Sequence, residues 1–227
     1  MTVTMPEVVD RSYSDFLTIG GPLLQECLAD LPRAVEEATA SGRWHPTGFM
    51  VFNLKDITGV GLVRLHYWPQ GTRHHLQGHP VIHRHAFHLL STVVAGNYRE
   101  IQYAVAPARP GPPEYARAKL HGYQVAPPKG DGFDRLEHDH KQYIVAPKGA
   151  VTVYGATESH QMPAGDYHAT AIAKSEDCCT LALLSRPLPG VTDHLVGSAH
   201  MKQLMNERKM VSEGDRQKFL RYLESNA

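Results

Sequence analysis

From residue 49 to residue 185 the chain is a series of short runs rich in β-branched and aromatic residues, from "FMVFNL" to "CTLALLS". Gly, Pro and Asp residues separate these runs, as they separate the strands of all-β proteins. A parallel α/β sheet would need a crossover helix between successive strands, and the runs are not separated by helices. The pattern therefore predicts a mainly β fold, either a sandwich or a closed barrel.

Helical patterns are confined to the two ends of the chain. Residues 15–40 carry apolar residues at helical spacing, and Gly20-Gly21-Pro22 predicts a break into two helical pieces. Residues 199–225 predict a second helical segment at the C-terminus. The apolar residues expected to anchor this segment are Leu204, Phe219, Leu220 and Leu223.

The chain is expected to form one domain, residues 1–227. A barrel at 46–190 would lie between helical segments at 1–45 and 191–227, which would cover barrel edges or form a homodimer interface. Two polar or Pro-rich stretches, 106–120 and 127–141, predict a surface excursion and a loop.

Charge and cysteine content exclude several classes of protein. Lys and Arg total 23, and so do Asp and Glu, so the balanced charge argues against nucleic acid or a membrane as partner. Cys27, Cys178 and Cys179 form no disulfide framework, which favours a reducing cytoplasm. The adjacent pair is expected to have one buried and one exposed thiol. The N-terminus has no signal-peptide pattern, and no apolar run is long enough to cross a bilayer.

Histidine is the unusual residue of this chain, with 15 copies. Five lie in "HPVIHRHAFHLLSTVVAGNYRE", residues 79–100, where Gly96-Asn97 predicts a hairpin turn. Because alternate residues of a strand share a face, His83 and His85 point the same way and could bind one metal ion. His88 has the opposite parity, and His79 lies on the approach to the strand.

A third ligand is offered by "GATESHQMPAGDYHATA" at residues 155–171. Pro163-Ala164-Gly165 predicts a tight turn, and His168 would open the strand that follows it. His160 lies just before the turn, where it would line the mouth of a cavity.

The two segments together resemble the two-part motif of the cupin barrel: HxH, a hairpin glycine, and later PxGxxH. The resemblance implies a cupin double-stranded β-helix, or jelly roll, in which His83, His85 and His168 bind a metal. Leu89 and Leu90 stand where cupins carry a glutamate ligand, so the implied site has three neutral imidazoles. Imidazole suits Fe, Zn, Cu and Ni alike.

Among cupins, residues Phe49 to Pro187 are most similar to the cysteine dioxygenase and thiol dioxygenase branch. The similarity covers "GLVRLHYWPQG", "IHRH", "AGNYRE" and the spacing from His168 to "TLALLSRP". "FMVFNL" lacks the arginine that this branch uses for the substrate carboxylate. Thr180, Ala182 and Leu184 replace its Ser-His-Tyr relay. The resemblance therefore supports the scaffold and the metal, and leaves the substrate open.

The resemblance implies an Fe(II)-dependent oxygenase that activates O₂ beside a small chelating metabolite, such as a thiol or an amino-acid derivative. Two alternatives remain open. One is a cupin isomerase, lyase or hydrolase that uses Zn, Mn or Ni as a Lewis acid, and the other is a small-molecule-binding cupin without turnover.

The expected substrate pocket depends on which face of "VGLVRLHYW" points inward. Arg64, His66 and Trp68 share one face, and the other face is apolar. If the first faces inward, Arg64 and His66 would line the pocket and hold an anionic substrate, together with His88 and His160. "LEHDH" at 136–140 is expected to be a solvated loop, and His74-His75 to be exposed.

Overall fold

The computed structural model describes residues 12–31, 35, 42–71, 73–108, 119–126, 133–198 and 201–226. Two helices lie at the ends of this range, α1 (Tyr13–Ala29) and α2 (Glu213–Asn226). The strands between them are β1 (Arg43–Trp44), β2 (Met50–Ile57), β3 (Gly61–Trp68), β4 (Ile82–Arg84), β5 (Leu89–Gly96), β6 (Tyr98–Pro107), β7 (Leu120–Val125), β8 (Phe133–Pro147), β9 (Thr152–Tyr154), β10 (Ser159–Met162), β11 (Tyr167–Thr170), β12 (Cys178–Ser185), β13 (His194–Gly197) and β14 (Gln203–Glu207).

The strands form two antiparallel sheets, as the sequence of short β runs predicts. The six-stranded sheet has the order β1-β2-β3-β12-β5-β10, and the eight-stranded sheet the order β14-β8-β7-β13-β4-β11-β6-β9. The long strand β8 also pairs with β6, so that six strands of the larger sheet close into a ring. The mainly β, cupin-like barrel is therefore confirmed. None of the described helices is long and apolar enough to cross a membrane.

The main hydrophobic core lies outside the barrel, between the six-stranded sheet and the two helices. On β3, Val63, Leu65 and Tyr67 are fully buried in this core. The Phe219 ring of α2 lies 4.9 Å from the rings of both Phe52 and Tyr67. Because the helices cover the apolar face of β3, its other face points into the barrel. Arg64, His66 and Trp68 therefore line the cavity.

Helix α1 is continuous, so the predicted break at Gly20-Gly21-Pro22 is wrong. Gly20 packs against the sheet so closely that an added Cβ would lie 2.8 Å from the Leu183 side chain. Helix formation is dominated by such packing, which here outweighs the low helix propensity of Gly and Pro. Ser12 caps the helix by accepting a hydrogen bond from the Asp15 backbone N–H at 3.2 Å.

The predicted C-terminal helical segment is correct only in its second half. Phe219 and Leu223 are buried on α2, but β13 and β14 occupy residues that we assigned to helix or its approach. Leu204 lies on β14 and packs beside Tyr123 and Leu136. The pairing of β14 with β8 decides this, and residues so far apart in sequence give no local signal.

The stretch from 106 to 141 contributes two strands, β7 and β8, to the larger sheet, while residues 109–118 and 127–132 lie outside the described range. The "LEHDH" sequence belongs to β8 and is not a loop. Its Asp139 accepts hydrogen bonds from His194 Nε2 at 3.0 Å and from the Tyr143 hydroxyl. His194 Nδ1 lies 2.6 Å from the Tyr167 hydroxyl. These polar side chains lie within the ring of strands that β8 closes.

Three further predictions need correction. Cys178 and Cys179 are both buried, because β12 is covered by the cavity on one face and by the helices on the other. Gly96 has a positive φ of 79°, as a tight turn requires, but the turn passes from β5 in one sheet to β6 in the other and makes no hairpin. His75 is exposed as predicted, whereas His74 is half-buried against the Trp44 ring at 4.5 Å.

Candidate metal centre and cavity

Three histidines from two separate segments meet on the inner wall of the eight-stranded sheet. His83 on β4 and His168 on β11 are direct register partners, and His85 follows β4 by one residue. Ring centroids are 4.4 Å apart for His83 and His168 and 4.7 Å apart for His83 and His85. One ring nitrogen from each lies within 4.8 Å of the others. The expected convergence of these imidazoles is therefore present.

The turn that positions His168 is the one expected from the sequence. Gly165 has φ of 89°, and the Asp166 N–H donates to the Pro163 carbonyl. The Gly165 N–H also donates to the His85 carbonyl at 2.9 Å, which joins the turn to the HxH segment. This bond links the two halves of the motif directly through the backbone.

A polar group lies behind each of the three rings, and at His83 it forms a hydrogen bond that fixes the ring. His83 Nδ1 lies 2.9 Å from the Val81 carbonyl, to which it donates, and this leaves Nε2 free as a ligand atom. His85 Nδ1 lies 4.0 Å from the Asp193 carboxylate, which accepts from the Ala86 N–H at 2.7 Å. His168 Nδ1 lies 3.4 Å from Glu100 Oε2, outside hydrogen-bonding direction.

The electrostatics of the cluster suit a cation. Burial is the main cause that lowers the pKa of His83, His85 and His168, so all three are neutral. His168 Nε2 lies 3.3 Å from His85 Nε2, which leaves room for the two nitrogens to share one positive partner. Three neutral imidazoles with converging nitrogens fit a divalent first-row metal, and this donor set alone does not choose between Fe, Zn, Mn and Ni.

Glu100 is one of two residues near the site that sequence reasoning missed. It lies on β6 with 3% of its surface exposed, between His168 and His160, whose Nε2 is 4.0 Å from its carboxylate. Burial raises the pKa of Glu100. A signal for this acid was available in the sequence. Alternate residues of a strand share a face, so Glu100 lies on the same face as Tyr98 and Gln102, and Tyr98 is buried.

The cluster stands between two connected parts of the barrel interior. The main chamber has a volume of about 250 Å³ and includes Phe49, His66 and Trp68 in its wall. A side chamber of about 180 Å³ is lined by His79, Asp193 and Arg208 among others. His83, His85 and Arg64 line both chambers. A ligand in the main chamber would border all three histidines, and a ligand in the side chamber would border His83 and His85.

Two more histidines line the main chamber, as expected. Burial lowers the pKa of His66 to about 3 and that of His160 to about 4, and Glu100 opposes the shift at His160. The His160 ring stacks on Tyr98 at 4.3 Å, and its Nδ1 is buried without a hydrogen-bond partner among the described residues. Both rings are neutral.

His88 lies outside the cavity, so its expected place in the pocket is not retained. Its ring contacts Tyr13 at 5.0 Å and Phe16 at 5.8 Å, both on α1. Its Nδ1 accepts a hydrogen bond from the Ala164 N–H at 2.9 Å. His83, His85, Phe87 and Leu89 line the main chamber at alternate positions, so His88 falls on the other side of the chain even though residues 85–88 lie in the bend between β4 and β5.

His45 was not singled out by sequence reasoning, yet it lines both chambers. Its ring stacks on Phe49 at 4.4 Å, and its Nδ1 lies 2.8 Å from the Thr47 hydroxyl. Burial lowers the pKa of His45 well below its usual value, so this ring is neutral as well. His45 lies before the first long strand, outside the segments whose alternation could predict an inward-facing side chain.

Fold and cluster together define the class of this protein as a cupin-like β-barrel with a three-histidine cluster. No protein-family model matches the chain, and no curated protein matches it. The polyketide cyclase RemF from Streptomyces resistomycificus superposes with a TM-score of 0.35 at 11% identity, over 83% of this chain and 94% of RemF. Pac13 of Streptomyces, a nucleoside dehydratase, gives a TM-score of 0.28 at 9% identity, over 78% and 92% of the two chains. At such values the site has to be interpreted from its own geometry.

Proposed function

We propose that the protein is a metal-dependent enzyme in which His83, His85 and His168 bind one divalent ion beside a small-molecule chamber. The convergence of three neutral imidazoles at the wall of that chamber carries the proposal. When bound, the ion would supply Lewis-acid polarisation of a substrate oxygen. The chain's own residues would orient the substrate and move protons.

Proton transfer is assigned to His160. Its ring lines the chamber, and its buried Nδ1 has no hydrogen-bond partner among the described residues, so the ring would be the group that takes up a proton from a bound substrate. The carboxylate of Glu100, 4.0 Å from Nε2, would stabilise the imidazolium that results. His66, neutral and on β3 of the same six-stranded sheet, would serve as a hydrogen-bond partner. These roles favour a lyase, isomerase or cyclisation reaction, in which a proton is removed and returned.

Exclusion of water supports the same chemistry. Phe49, Trp68 and Tyr98 form a continuous aromatic wall, with the Phe49 and Trp68 rings 4.6 Å apart and the Trp68 and Tyr98 rings 5.8 Å apart. Such a wall lowers the local polarity around the reacting groups, which strengthens electrostatic interactions inside the chamber.

An Fe(II) oxygenase is the second candidate, and one observation favours it. Among the described residues the cluster contains no carboxylate, so a bound ion would keep its full charge and leave coordination positions for a chelating substrate and O₂. This is the ligand set that the thiol dioxygenase resemblance implies.

Metal analysis tests the proposal directly. His168→Asn should lower the affinity for Zn²⁺ and Fe²⁺ at least roughly 100-fold, because it removes one of three ligands. His140→Asn is the matched control: this exposed residue has a positive φ of 62°, which Asn tolerates, and it should bind metal as the wild type does.

Equal metal affinity in the two variants would refute the metal centre. Oxygen uptake separates the two candidate functions. Iron-loaded protein that consumes O₂ with a chelating thiol or amino acid would establish the oxygenase, whereas turnover without O₂ consumption would establish the proton-transfer enzyme.

A further inference from the structure

Four arginines border the two chambers, and they differ in what already occupies their guanidinium groups. Arg73 donates to four backbone carbonyls, those of Pro69, Ile172, Ala173 and Glu176. Arg208 forms an ion pair with Asp134. Arg84 donates to the Thr192 carbonyl and lies over the Tyr167 ring. These three are committed to the fold.

Arg64 is different. Its Nε donates to Asn53 Oδ1 at 2.9 Å, and this bond holds the side chain at the junction of the two chambers. Its two terminal amino groups have no hydrogen-bond acceptor or ion-pair partner among the described residues. Arg64 lines both chambers and is half-buried, so its planar fork remains open to a ligand, and such a fork matches both oxygens of a carboxylate.

The neighbours of Arg64 on the same strand face are aromatic. His66 and Trp68 follow at two-residue intervals, which places them roughly 7 Å and roughly 14 Å further along the wall. Phe49 joins them from the adjacent segment, with ring centroids 5.2 Å from His66 and 4.6 Å from Trp68.

The size of the main chamber limits the ligand further. Its volume of about 250 Å³ lies just below the roughly 300 Å³ at which pockets for drug-sized molecules begin. One aromatic ring with small substituents fits this space. Flat faces at 4.5–7 Å are the spacing at which aromatic rings stack favourably.

We infer that the chamber binds a one-ring aromatic carboxylate, with the carboxylate on the Arg64 fork and the ring against Phe49, His66 and Trp68. This assignment takes the chamber as the substrate site of the proposed enzyme and names the class of substrate. The bound ring would then lie beside the three-histidine cluster, with His160 on the same chamber wall.

Binding of simple probes tests the assignment without turnover. Benzoate, benzamide, cyclohexanecarboxylate and phenyl phosphate would be titrated into metal-free and Zn²⁺-loaded protein by calorimetry. We expect benzoate to bind best. Benzamide should bind roughly tenfold or more weakly because it lacks the charge, and cyclohexanecarboxylate several-fold more weakly because it lacks the flat ring. Tighter binding of phenyl phosphate than of benzoate would overturn the carboxylate assignment.

Arg64→Gln should weaken benzoate binding roughly tenfold or more, whereas Arg208→Gln, at an arginine already paired with Asp134, should leave it within about threefold. Unchanged benzoate affinity in folded Arg64→Gln, or equal affinity for benzoate and benzamide, would refute the inference. Zinc affinity is measured on the same samples. Protein that binds Zn²⁺ but not benzoate refutes the substrate class alone, and protein that binds benzoate but not Zn²⁺ refutes the metal centre alone.

Discussion

Glu100→Gln isolates the contribution of the buried carboxylate behind His168. The substitution keeps the shape of the side chain and removes its negative charge. Glu100 Oε2 lies 3.4 Å from His168 Nδ1, and adding the imidazole ring and a metal–nitrogen bond of about 2.0 Å places it roughly 8 Å from a bound ion. At an effective dielectric constant near 20, a unit charge at this distance from a dication contributes about 4 kcal/mol.

The observed effect should be smaller than this, because solvent and the other histidines screen part of the interaction. Carboxylates behind a metal-binding histidine typically contribute about 10- to 100-fold to metal affinity. We therefore expect Glu100→Gln to raise the Zn²⁺ dissociation constant by about that factor. Competition with a chromophoric chelator measures it, and Glu137→Gln, an exposed acid on β8, is the control.

The stability of the metal-free protein separates an electrostatic role from a structural one. Burial raises the pKa of Glu100, so the carboxylate is costly to the apo fold and the neutral amide should not reduce its stability. Weaker metal binding with unchanged apo stability supports the reasoning. A zinc affinity within twofold of wild type, or a parallel loss of apo stability, would refute it.

Three further predictions concern the fold. Burial lowers the pKa of His66 from 6.5 to about 3, so between pH 3 and 6.5 the unfolded chain binds more protons than the folded protein does. The stability of the metal-free protein should therefore be full above pH 6.5 and decline as the pH falls from 6.5 towards 3. His66→Gln should flatten this decline when the free energy of unfolding is measured by urea titration. Phe219→Ala removes a fully buried ring that packs α2 against β2 and β3, and it should lower the free energy of unfolding by about 3–5 kcal/mol. Glu224→Ala, at an exposed position of α2, is the control and should lower it by less than about 0.5 kcal/mol. Gly96→Ala should destabilise the protein more than Gly59→Ala does. Both glycines have positive φ, but of the two only Gly96 would place the new Cβ against a backbone oxygen, that of Asp177 at 2.2 Å. Equal melting temperatures for the two variants would show that the backbone around Gly96 relaxes.

Local sequence predicted those features that depend on neighbours along the chain. Strand alternation placed His83 and His85 on one face and turned His88 away, and Gly165 identified the turn before His168. These features follow from backbone geometry over a few residues, which the sequence encodes directly. The mainly β class followed in the same way, from many short runs without helices between them.

Tertiary structure decided everything that depends on which surfaces meet. Packing of α1 and α2 on Val63, Leu65 and Tyr67 turned Arg64 and His66 inward, a choice that the alternation of β3 left open. The same long-range contacts kept α1 continuous through its Gly-Gly-Pro sequence, buried both adjacent cysteines, made β8 and β14 strands, and brought Glu100 behind His168. The free energy of these arrangements comes from burial of apolar area and from strand pairing between residues far apart in sequence. A pattern read over a few neighbouring residues therefore cannot predict them.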